Sequence, residues 1–160
     1  MTSTRFIALL MFLSAVNLVL MVPGGFVETR AFPNYSVAVL AAFNIFLTAL
    51  GLGSLVLAFW AFRLGKVGIS VPVFGAAFAA VYLLDLVHIF PISEVPMSVA
   101  LYSLEWVGTI LGLATLVLGL RHVLVSQKET QASGRLSARL MVGMAALALG
   151  IVIFATMSAW

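Results

Sequence analysis

Cysteine is absent from the 160 residues, which removes disulfides, thiolate metal sites, dithiol redox chemistry and c-type haem attachment together. Charge is scarce too: Asp, Glu, Lys and Arg make up 8% of the chain, too few to cover the surface of a water-soluble domain. No Ser is paired with a base in a pattern that would make it a covalent nucleophile, and no glycine belongs to a strand–loop–helix phosphate motif. There is no low-complexity segment, no internal repeat and no separate soluble domain.

What is present is apolar: 64% of residues are hydrophobic and the mean hydropathy is +1.24, so the solvent of this chain is lipid. The expected fold is an all-α membrane bundle of five transmembrane helices over about 6–22, 36–62, 67–90, 99–125 and 140–157, forming one domain. The breaks carry turn-formers or charge, as in Pro23-Gly24-Gly25, Arg63-Leu64-Gly65-Lys66, Pro91 to Pro96, and Ser126 to Arg135. Arg5 ahead of the first run is reminiscent of a secretory leader. No small-x-small cleavage site precedes Pro23, so the segment is expected to stay as a span.

The formal charge of +3 and pI near 9.8 do not point to nucleic acid, because the cations sit in short connecting segments and not along one soluble face. They set topology instead. With the N-terminus cytoplasmic, Arg5, Arg63, Lys66, Arg121, Lys128, Arg135 and Arg139 all face the cytoplasm and only Arg30 lies outside, which places the C-terminus outside. A multi-pass protein of a bacterial or archaeal cytoplasmic membrane is expected. Its partners would be the lipid bilayer and other membrane subunits or further copies of itself.

Depths follow from the helical rise. Asn17 and Asp85 each lie six residues before a proline break, about 9 Å below the outer boundary, while Asn44 and Glu105 fall at about 13 Å. The strongly polar residues of four spans thus occupy one layer of the outer half. Polar side chains at such depth rarely face lipid, so they are expected to converge. Tyr82, Asp85 and His88 recur at intervals of three on the third span, and Tyr102, Glu105 and Thr109 share a face of the fourth. Gly51, Gly53, Gly108, Gly112, Gly143 and Gly150 suit close helix packing.

The first outer loop carries Glu28 and Arg30 among Phe26, Phe32 and Tyr35. In an extended segment residues two apart project to one side, so the pair is expected to face the polar layer while the rings seat the loop on the helix ends as a lid. An interfacial anchor holding a local ion pair is the alternative. On the outer side Glu28, Asp85, Glu94 and Glu105 stand against Arg30 alone, which favours cations or neutral groups over anions.

The expected function is an outward-facing pocket binding a small cationic or neutral amphiphilic ligand or a lipid headgroup, in a protein that serves as an accessory subunit of a larger complex. Its residues would be Asp85, His88 and Glu105 at the base, Asn17, Asn44, Tyr82 and Tyr102 around them, and Glu28 with Arg30 above. Three other readings stay open. Asp85, His88 and Glu105 could hold a divalent metal, or act as acid and base on a lipid-soluble substrate. An oligomeric transporter is the second. The third is purely structural pairing, Asp85 with His88 and Glu105 with Arg30, with Asn17 and Asn44 as hydrogen bonds between helices. Topology speaks against a bis-histidine haem, since His88 and His122 belong to opposite ends and one haem cannot reach both within a single subunit.

Overall fold

The computed structural model describes residues 3–22 and 27–129, which contain four helices and no strand. These are α1 (Ser3–Leu20), α2 (Val37–Leu64), α3 (Ser70–Leu86) and α4 (Val99–Glu129). Three of them, α1, α2 and α4, are long and apolar enough to cross a membrane, whereas α3 has 17 residues. The fifth expected span, 140–157, lies outside the described residues, as do Phe26, Gly143 and Gly150.

Each helix begins and ends for local reasons. Ser36 caps α2, its Oγ accepting from Val39 N at 3.4 Å, and Gly65 closes it in the left-handed region at φ 63°. Ser98 does the same for α4, its Oγ accepting from Leu101 N at 3.1 Å. The third span corrects the expectation of 67–90, because α3 stops at Leu86. His88 takes φ 57°, its N–H donates to Asp85 O at 2.9 Å, and Ile89 N–H donates to Leu84 O at 2.9 Å. This is the paired-bond ending usually closed by glycine, with proline soon after. A side chain in that conformation costs energy that glycine avoids, so His88→Gly should raise stability by about 1 kcal/mol. A lower melting temperature in that variant would show that the imidazole has a role of its own.

Two buried seams explain how the helices face one another. On α3, Val71, Gly75, Phe78, Tyr82 and Asp85 are buried at alternating spacings of four and three; on α4, Leu101, Glu105, Gly108, Gly112, Thr115 and Gly119 are buried in the same rhythm. The small residues let backbones touch. A Cβ on Gly75 would strike Leu116 N, and one on Gly112 would meet Ala79 N at 2.6 Å and Gly75 O at 3.0 Å. Gly108 gives its space to the Tyr82 ring, and Gly53 to that of Phe74.

Contacts that rise along one helix and fall along its neighbour make the packed pairs antiparallel: Pro72 with Gly119 and Tyr82 with Gly108 for α3 and α4, Arg5 with Phe62 and Leu18 with Gly51 for α1 and α2. The core is correspondingly in two parts. One holds Ile7, Met11, Ala58 and Val71; the other holds Leu18, Met21, Leu50, Phe78, Tyr82 and Leu101. Helix direction therefore puts Arg5, Arg63, Lys66 and Arg121 at one end, with the Arg5 guanidinium 5.8 Å from the Phe62 ring. Asn17, Asp85, the start of α2 and the start of α4 meet at the other.

Candidate functional site

The segment between α1 and α2 turns its charges inward. Glu28 and Arg30 are buried on either side of exposed Thr29, the alternation of an extended chain. Arg30 N–H donates to Glu28 Oε1 at 2.9 Å, and Nε donates to both Glu28 oxygens at 3.0 and 3.1 Å. The far edge of the same guanidinium reaches α3, where Nη1 donates to Asp85 Oδ1 at 3.0 Å and Nη2 to Oδ2 at 2.6 Å. Nη2 also meets Glu28 Oε2 at 2.6 Å. One planar cation thereby joins two carboxylates in forked, charge-assisted bonds.

All three groups are buried, Arg30 retaining 7% exposure. Burial pulls the Arg30 guanidinium down, but its hydrogen bonds to Glu28 and Asp85 and their charges outweigh that and hold it above its ordinary value. A cation raised in this way contributes its full stabilisation at every pH below its unfolded value. The pairing corrects one expectation: Asp85 is joined to Arg30, not to His88, and Arg30 is bonded to Glu28 and Asp85, not to Glu105.

The rings of the segment dock it. Phe32 lies under the guanidinium at 5.5 Å, and Tyr35 packs edge-on against Phe90 at 5.3 Å. Tyr35 Oη accepts from Ile92 N at 2.8 Å, while Ser93 Oγ donates to Ala31 O and Asn34 Nδ2 to Glu94 Oε1, each at 3.4 Å. The first connection is thus laid on the second. Beneath both, the Asn17 amide donates to Tyr82 Oη at 3.2 Å and to Leu104 O at 3.1 Å, tying α1 to α3 and α4.

A cavity of about 100 Å³ opens against this cluster, lined by Glu28, Arg30, Asn44, Tyr82, Asp85 and Glu105 with an apolar remainder that includes Phe32 and Phe43. Glu105 is the unusual member. It is 2% exposed and lines the cavity together with Asp85, yet no donor faces Oε2 among the described residues.

Asn17, Glu28, Arg30, Asn44, Tyr82, Asp85 and Glu105 are therefore brought together, Asn17 through Tyr82. His88 and Tyr102 are not. His88 is exposed beyond the end of α3, and its spacing from Asp85 is that of a helix ending. Tyr102 lies off the α4 seam, 49% exposed, with its ring 6.4 Å from Trp106. The metal set Asp85, His88 and Glu105 is accordingly not assembled, and no group of three His, Asp or Glu is placed to hold a metal ion among the described residues. Leu40, Phe43 and Leu47 line the cavity but were not expected; with Asn44 they form an i, i+3, i+4, i+7 stripe readable from that one polar residue.

Fold and site define a helical protein with three candidate membrane spans and a buried arginine–dicarboxylate cluster at one end. The chain belongs to the family described as a domain of unknown function, DUF8051, whose model matches residues 3–134 and so covers every residue of the cluster. No curated protein and no solved structure matches it.

Proposed function

We propose that this is a multi-pass membrane protein of five spans, N-terminus cytoplasmic and C-terminus outside, whose outward-facing pocket binds a small cationic or neutral ligand beneath the Glu28–Arg30 segment. The division of charge supports that orientation: Arg5, Arg63, Lys66 and Arg121 gather at the end opposite the acids. In this reading the segment acts as the roof of the pocket, and the protein works as a binding subunit beside other membrane proteins.

The observation that carries the proposal is Glu105. Glu28 and Asp85 already have their donors in Arg30, whereas Glu105 is buried against the cavity with Oε2 facing no donor among the described residues. An acceptor left in that state costs free energy that a ligand N–H or O–H would recover. One guanidinium faces three carboxyls, so an anion is disfavoured. Native mass spectrometry of the protein released gently from its membrane tests this. The wild type should keep a discrete added mass that Glu105→Gln reduces at least tenfold without disturbing the Arg30 bonds. A bare wild-type chain, or an adduct that Glu105→Gln leaves unchanged, would contradict it.

A further inference from the structure

A second cavity, about 250 Å³, runs between α1 and α2 beside the acid pocket. Its lining includes Ala15, Val19, Gly51, Leu52 and Leu55. At Gly53, Gly75, Gly108 and Gly112 an added Cβ would collide with a ring or with backbone, but at Gly51 it would meet only Leu18 Cδ2 at an ordinary 3.5 Å. Helix packing does not demand glycine there; what glycine leaves is room. Thr48, also on the wall, turns its hydroxyl back to Asn44 O at 2.8 Å, so the groove is apolar along its length.

Leu18, Met21, Asn44 and Leu47 line both cavities. Asn44 stands where they join, exposed, and its side-chain amide has no partner among the described residues. From Asn44 to Leu55 the groove follows α2 for ~16 Å, the length of a medium alkyl chain, on helices long enough to lie in a bilayer. Its rim is open, Val19 being 66% exposed.

We propose that the ligand is a membrane-resident amphiphile with a primary ammonium head and one alkyl chain; the head enters the acid pocket to donate to Glu105 Oε2 and the Asn44 side-chain Oδ1, and the chain lies in the α1–α2 groove. This rests on the binding role argued above and names its ligand class. The excess of carboxyls selects a cation, and the unmet acceptor selects one that carries N–H, which a quaternary ammonium lacks. Lipid tails are as apolar as the groove, so the chain gains orientation there more than affinity. Blocking the groove should therefore act by exclusion.

The test uses the full chain in non-ionic detergent, native mass spectrometry, and dodecylammonium and methylammonium as probes. The wild type should take up one dodecylammonium. Gly51→Leu, which adds bulk to the lining, and Val19→Trp, which covers the rim, should each lower its occupancy at least tenfold while leaving methylammonium uptake unchanged. Either variant serves if the other fails to fold. Unchanged dodecylammonium uptake in the folded variants, loss of both probes together, or equal uptake of dodecyltrimethylammonium by the wild type would overturn the assignment and leave the pocket's binding role standing. Failure of the wild type to bind either amine would remove that role as well.

Discussion

Arg30→Ala should cost about 3–5 kcal/mol of stability, read as a fall in the unfolding midpoint of the detergent-solubilised protein. The size comes from what is left behind. Glu28 and Asp85 are both buried, and every side-chain bond either makes in the cluster runs through the one guanidinium, leaving Glu28 only the Arg30 backbone N–H. Removing it strands two carboxyls in a medium that cannot solvate them, so they must take up protons or draw the segment open to water. Arg30→Lys should recover only part of the loss, since an ammonium cannot span two carboxylates in forked geometry. A midpoint within error of the wild type for Arg30→Ala would mean that the cluster is already solvated. Because the contact that would hold the proposed roof also holds the fold, loss of ligand in this variant would not separate the two, and Glu105→Gln is the cleaner probe of the proposed binding.

Gly112→Leu should be as damaging by a different route. The atoms it would strike, Ala79 N and Gly75 O, belong to the backbone of α3, so no side-chain rotation relieves the clash and the two helices must move apart. That separation would also pull Glu105 away from Asp85 and Gly108 away from the Tyr82 ring. The cost lies at or beyond the upper end of the about 1–3 kcal/mol usual for overpacking, and little folded protein should be recovered. Gly51→Ala is the control. Its new methyl makes an ordinary contact, so near-wild-type yield is expected there, and an equal loss in both variants would attribute the effect to helix glycine in general.

Depth along the helices was legible in the sequence, while rotation about them was not. Counting inward from the outer ends of the spans put Asn17, Asp85, Asn44 and Glu105 in one layer, and the residues do meet at one end of the bundle. Glu105 was expected to point inward and does, but the same arithmetic could not tell that Tyr102, three residues before it, turns outward while Leu101 turns inward, because only packing against α3 selects the stripe. His88 failed for a related reason. Three-residue spacing continues a helix face only if the helix continues, and a left-handed histidine that closes α3 gives none of the glycine signal by which such an ending is recognised.

The Glu28–Arg30 side of the extended segment followed from a two-residue period. Which acid on the helices it would meet did not, since Asp85 and Glu105 lie close together and their order around the axis decides the partner. Gly75 passed unnoticed beside the other glycines, although it lies in the closest backbone approach described for α3 and α4.

The central claim is that the first connection is pinned to α3 through Arg30 and Asp85, and so roofs a pocket. A double-mutant cycle tests it most directly, with Arg30→Met, Asp85→Asn and the pair together measured for unfolding free energy under one set of conditions. A buried, forked contact predicts strong coupling, about 2 kcal/mol or more, with the double variant far less damaged than the sum of the singles. Additive losses, with coupling near zero, would contradict it: Arg30 and Asp85 would then act apart, and the pocket would have no roof.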